Sequence, residues 1–255
     1  MDAHRRPDAA FLGEFPDAGR FDVVSTAEVE TVQLDSVLDD RRPVRFIKID
    51  AQGGALNILT GALAALGQTL GVEAEIELAP MYDGEPLFGE VDAFLRSHQF
   101  ELVDLRPTYW RREAGKHLEG TRGQIIFCDS LYLLSPAAFA ARVDRAAAEG
   151  RDHLCASVLL ICDVYGLVDW VAAYASALRV SGLPADLLEG YLTHRQPARM
   201  PAFPLSYHLG QWLKDLGDRL VESSATWGVA EQRLGNKPRL GRQLVRRLWR
   251  RAANR

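Results

Sequence analysis

FIKIDAQGGALNILTGA, residues 46–62, sets an apolar run, an aspartate, a glycine pair and a helical pattern side by side. Phe46, Ile47 and Ile49 are bulky strand formers, Gly53 and Gly54 permit a tight reversal, and Leu56, Leu59, Leu63 and Leu66 recur at helical spacing. The stretch therefore predicts a strand, a glycine turn and a helix. In an open parallel sheet the carboxyl ends of the strands border the ligand crevice, which puts Asp50 at its lip. That position suits a binding or catalytic carboxylate. It equally suits an aspartate that only caps the turn through the amides that follow it.

Working outward, the chain has 255 residues with 47% hydrophobic content, enough for one large domain or two modest ones with a real core. It contains no run of about 18 uninterrupted apolar residues, and the N-terminus lacks the apolar segment of a secretion signal, so a cytoplasmic protein is expected. Cys128, Cys155 and Cys162 form no CxxC pair, which argues against a disulfide framework and a zinc site and for buried reduced thiols. The histidines show no metal-ligand spacing, and neither Ser130 nor Ser135 lies in a G-x-S-x-G elbow. The formal charge is −4, yet the residues after 231 carry nine basic side chains and no acidic one, leaving about −13 on the rest. An acidic body argues against a general nucleic-acid binder.

Residues 1–20 read as an irregular lead-in, and FDVVSTAEVETVQLDSVLDD predicts a short strand around Val29 and Val32 followed by a helical stub. In GVEAEIELAP, Val72, Ala74, Ile76 and Leu78 alternate with Glu73, Glu75 and Glu77, the period of a strand with one wet face. Leu87, Val91, Phe94 and Leu95 fit a helix, FELVDL a short strand, and GQIIFCDSLYLL a strong strand. The alternation points to an α/β sheet over residues 1–135. From Pro136 to 232 the alanine-rich and leucine-rich segments predict a helical extension, in which the run 154–162 is a buried helix rather than a membrane span. Residues 233–255 form a basic amphipathic tail, with Leu240, Leu244 and Leu248 on one stripe and arginines opposite. A helix of that kind fits an anionic membrane surface through residues 239–252, or packs its leucines on the acidic body.

Taken in order, LDSVLDD, FIKIDAQGGALNILTGA, EIELAPMYDGEPLFGEVDAFLRSHQFELVDL, YWRR and GQIIFCDSLYLL resemble the C-terminal part of FkbM-family methyltransferases over residues 30–133. In that family a leucine-aspartate segment precedes an IKID strand and turn with QG or EG after it, then a helix ending in L-x-GA, then a strand leading to a PLY-x-G-x-PLF stretch. The resemblance implies a partial Rossmann-like class I methyltransferase sheet with a helical C-terminal extension. It also implies S-adenosylmethionine as cofactor and O-methylation of a small-molecule or glycan acceptor. Two features depart from the family pattern. The glycine-rich cofactor turn that normally lies upstream is absent from the 45 residues before Phe46, so the expectation is a truncated form, or a site completed by a homodimer or second chain. Ala55 stands where the family commonly has an acidic residue.

Under this reading Asp50, Lys48 and Glu77 are the candidate catalytic residues, and Asp50, Gln52 and Gly53 the candidate cofactor contacts. Tyr82, Tyr109, Trp110 and Arg111 are candidate acceptor contacts. Lys48 and Asp50 share a strand face, so they form either a polar pair at a ligand or part of an internal ion pair. Glu77 can converge with Asp50, where two carboxylates would raise one pKa and supply a general base, or it belongs to the wet face with Glu73 and Glu75. The competing class is a non-catalytic scaffold or interaction protein with a basic tail helix.

Overall fold

The computed structural model describes residues 6–38, 43–118 and 123–195. The basic tail, and with it the expected membrane or body contact of residues 239–252, lies outside the described residues. Four strands form one mixed sheet: β1 (Phe46–Ile49), β2 (Gly71–Glu77), β3 (Phe100–Trp110) and β4 (Gln124–Leu134), in the order β1-β2-β4-β3. β1 and β2 run parallel, while β4 is antiparallel to both β2 and β3. The carboxyl ends of β1 and β2, and with them Asp50 and Glu77, thus lie at one end of the sheet.

The register explains which side chains meet. Lys48 lies opposite Glu73, and Glu73, Glu75 and Glu77 lie opposite Leu131, Asp129 and Phe127. Because successive side chains alternate, Ile47, Ile49, Val72, Ala74 and Ile76 point to the other face. There they join α2 (Ala55–Thr60) and α4 (Phe88–Ser97) in a core with Leu59, Val91 and Leu95. Each fully buried Leu or Phe there contributes about 1.5–3 kcal/mol of burial free energy.

The predicted helix after the glycine turn is two short ones, α2 and α3 (Leu63–Leu66), interrupted at Gly61. The aspartate of the LDSVLDD segment accounts for the second start: both Asp35 carboxylate oxygens accept from the amides of Ala64 and Ala65, at 2.7 and 2.9 Å. This capping supplies partners for otherwise orphaned amides at a helix start.

Four further expectations are corrected. Residues 22–33 are not a strand: Val23, Val24, Val29 and Val32 are exposed and no described strand pairs with them, so alternation alone did not make a ladder. The lead-in of residues 1–20, expected to be irregular, contains α1 (Ala9–Leu12), capped by the Asp8 carboxylate, and the start of a short 3-10 turn at Ala18–Phe21. The glutamate face of β2 is not wet, since Glu73 and Glu77 are 5% and 2% exposed. The short strand at FELVDL also continues to Trp110, because β4 offers a partner over its full length; the ladder absorbs irregularities between Leu102 and Asp104 and between Thr108 and Tyr109.

Beyond β4 come α5 (Pro136–Arg145), α6 (Ala148–Tyr165), α7 (Val168–Val180) and α8 (Asp186–Arg195). Ser135 caps α5 with Pro136 in its first turn, and Gly166 ends α6 at a φ of 71°. The helices are tied to the sheet by buried polar anchors. The Tyr174 hydroxyl donates to the Leu134 carbonyl at 2.7 Å, and Arg142 donates to the Thr69 carbonyl at 2.7 Å. Leu154, Cys155, Val158, Ile161 and Cys162 of α6 are buried, and one apolar cluster runs from β1 to α8. Among the described residues no helix is long and apolar enough to cross a membrane.

Candidate active site

The turn after β1 has an unusual backbone. Gln52 and Gly53 are consecutive left-handed residues, with φ of 44° and 76°, and the Gly54 amide closes the turn on the Ala51 carbonyl at 3.0 Å. A Cβ on Gly54 would lie 2.8 Å from that same carbonyl oxygen, so the position requires glycine. Gly53 takes its positive φ freely, whereas Gln52 holds it at a cost of the order of 1 kcal/mol. Asp50 is exposed, and among the described residues its carboxylate makes no hydrogen bond or ion pair. It therefore does not cap the turn.

The two left-handed residues each engage a carboxylate of β2. Gln52 Nε2 donates to Glu75 Oε1 at 2.9 Å, and its Oε1 accepts from the Tyr82 hydroxyl at 2.8 Å. Backbone hydrogen bonding from Gly53 favours the charged form of Glu77. Burial nonetheless dominates at Glu77 and, with Glu85 and Glu75 close by, pushes its carboxyl up to about 7. Glu75 is also pushed up to about 7, by burial first and then by Asp50 and Asp129, against the opposing effects of Lys48 and Gln52. Glu85 closes the loop beyond β2 by accepting from the Met81 amide at 2.5 Å and the Tyr82 amide at 3.2 Å.

Lys48 has a different partner from the one its strand position suggested. Its Nζ donates to Glu73 Oε1, while Glu73 Oε2 accepts from Tyr165 of α6 at 2.5 Å and pairs with Arg106 of β3 at 3.0 Å. Burial alone would raise the Glu73 carboxyl, but three donors from three elements outweigh it and hold the group at about 2. The same contact raises Lys48. The internal ion pair weighed for Lys48 thus exists, with Glu73 as its acid.

The remaining candidates divide. Tyr82 is linked to Glu75 through Gln52. Trp110 instead packs among Phe15, Phe21 and Phe127, with ring centroids 5.6, 5.8 and 6.1 Å away, and Arg20 lies 4.5 Å over its ring. Arg112 pairs with Glu14 and donates to Gln124 at 2.6 Å. Tyr109 ends β3 beside Trp110, and Arg111 follows it. This aromatic group fastens residues 8–21 over the end of β3 and β4. A cavity of about 930 Å³, lined by Arg6, Arg20, Phe21 and Val23 among others, opens along the same N-terminal segment and touches none of the predicted site residues. Sequence reasoning missed Glu75 as a site residue, and Arg106 and Tyr165 entirely. The signal for Glu75 was its place between Glu73 and Glu77 on one strand face.

A mixed α/β sheet with helices, bearing a carboxylate and a glycine turn at the end of its first strand, is compatible with a methyltransferase-like fold. Residues 8–102 match the family model described as the Methyltransferase FkbM domain. The match covers β1, β2, the turn between Asp50 and Gly54, and the first residues of β3. No curated protein and no solved structure matches the chain.

Proposed function

We propose that this chain is a methyltransferase of the FkbM type that uses S-adenosylmethionine to methylate a hydroxyl of a small-molecule or glycan acceptor. The observation that carries the reading is the FkbM match across the turn where Asp50, Gln52, Glu75 and Glu77 converge. Asp50 and the Gly53–Gly54 backbone fit part of such a cofactor: an unengaged carboxylate can accept from hydroxyl or amino groups, and the glycines admit close approach. When bound, the cofactor supplies an electrophilic methyl group. This chain's residues have to align the acceptor oxygen and take its proton, work suited to a carboxylate poised near neutral pH.

β1 is an edge strand among the described residues, with only β2 beside it. That favours a Rossmann-like sheet completed on the outer side of β1 by another strand, from a second chain or a second copy. The three free, buried cysteines suit the reducing cytoplasm.

Calorimetric titration of the chain with S-adenosylmethionine, against an Asp50→Ala control, tests the reading. Saturable binding lost in the control is expected. Absence of binding by a folded wild type would leave a methyltransferase-like scaffold as the better description.

A further inference from the structure

Resting on the methyl-transfer reading above, we propose that Glu75 accepts the acceptor's proton and that Gln52, oriented by Tyr82, is the positioning residue that holds its carboxylate at the end of the sheet. Gln52 and Gly53 are the two central residues of the turn, and the bond from the Gly54 amide to the Ala51 carbonyl needs positive φ at both, a conformation that glycine would take at position 52 more cheaply than glutamine. What glutamine adds there is a side chain bridging two elements. Gln52 reaches from the end of β1 to Glu75 of β2 on one side and to Tyr82 of the following loop on the other.

The bridge fixes the amide. Tyr82 donates to Oε1, so the NH2 group is the one turned to Glu75, and it occupies one lone pair of Oε1. Glu75 Oε2 is left for an incoming hydroxyl. The charged groups around Glu75 are Asp50 and Lys48 from β1, Asp129 from β4 and Glu77 on its own strand. Burial first, then Asp50 and Asp129, raise the proton affinity of Glu75 into the range useful to a general base, while Lys48 and Gln52 oppose the rise. Glu77 is a poorer choice, because it is 2% exposed. Asp50 lacks a group that orients it.

The step balances simply. The acceptor oxygen forms a bond to the methyl carbon as the carbon–sulfur bond breaks, the sulfonium leaves as a neutral thioether, and the hydroxyl proton passes to Glu75 Oε2 and then to water.

Carboxyl-carbon NMR of the full chain with labelled glutamate, assigned through Glu75→Gln, reads the relay without any substrate. Gln52→Gly keeps the turn's backbone conformation and removes the amide. It is expected to raise the Glu75 midpoint by about 0.5–1 pH unit, the equivalent of one hydrogen bond. Tyr82→Phe is expected to raise it less, and Asp50→Asn to lower it. In turnover with S-adenosylmethionine and a panel of methyl glycosides, Glu75→Gln is expected to lower kcat about 10²–10⁴-fold. Gln52→Gly is expected to lower kcat with KM unchanged, and to move the acidic limb of the pH profile together with the midpoint. An unmoved Glu75 midpoint in Gln52→Gly overturns the positioning role of Gln52, and full kcat in Glu75→Gln overturns the proton-accepting role of Glu75. A wild type that binds no S-adenosylmethionine removes the methyl-transfer reading and the catalytic assignment together, whereas binding with an unmoved midpoint removes the relay alone.

Discussion

Replacing Glu73 by glutamine tests the most concentrated electrostatic feature of the molecule. The side chain is 7% exposed and accepts from Lys48, Arg106 and Tyr165, so its charge is held by two cations and a hydroxyl. A carboxyl brought from 4.5 to about 2 by folding corresponds to about 3.4 kcal/mol of linked stability. Lys48 and Arg106 are 60% and 49% exposed and regain water when the charge is removed, so a loss of about 2–3 kcal/mol at pH 7 is the reasonable expectation. The sign follows from a depressed pKa. The contribution is complete above about 4.5 and disappears as pH falls through about 2. Urea unfolding of wild type and Glu73→Gln at pH 7, 4 and 2.5 should therefore give a difference that shrinks steadily with acidification, at constant m-value. A glutamine variant within about 0.5 kcal/mol of wild type at pH 7, or a difference that does not change with pH, would show that the three contacts do not hold the charge.

The opposite sign applies at Glu77, whose carboxyl is raised to about 7 by burial and by Glu85. Its ionisation opposes folding as pH rises from about 4.5 through 7, so Glu77→Gln should stabilise the protein by about 1–3 kcal/mol at pH 8 and leave it unchanged at pH 4, read by the same unfolding series. Trp110→Ala removes the ring that Phe15, Phe21 and Phe127 pack against, and should cost about 2–3 kcal/mol and raise amide exchange in residues 9–21. Cys128 and Cys162 are raised to about 12 by burial, and Cys155 is raised as well, so all three thiols should resist iodoacetamide in the native protein and react after unfolding.

The sequence carried the element types well where one physical cause acts locally. Phe46–Ile49 with its glycine turn, the helix around Val91 and Leu95, and the strand from Gln124 to Leu134 all follow from periodicity and turn chemistry. It failed where the cause lies elsewhere in the chain. Val29 and Val32 alternate as a strand does, but alternation specifies a face and cannot supply a partner, and no described strand lies beside them. The break between α2 and α3 depends on Asp35, nearly thirty residues earlier, closing on the amides of Ala64 and Ala65.

The β2 glutamates give the sharper case, because the same alternation of apolar and acidic residues has two physical solutions. Water can solvate the acidic face, or other elements can cover it with charge and hydrogen bonds, and the strand's own sequence is identical in both. What decides between them is the distant residues that reach the strand. Arg106 arrives from the far edge strand and Tyr165 from α6, whose hydroxyl lies 92 residues along the chain from Glu73. Covered this way, three glutamates of one pattern are driven apart: Glu73 is held at about 2 by its donors, while Glu75 and Glu77, with fewer donors and more acidic neighbours, rise to about 7. Under the proposed reading, such a split between chemically identical groups separates the structural carboxylate from the one offered for chemistry. Glu73 is fixed as the anion that joins the sheet to the helical extension, and the two raised carboxyls are left towards the end of β2, beside Asp50 and Gln52.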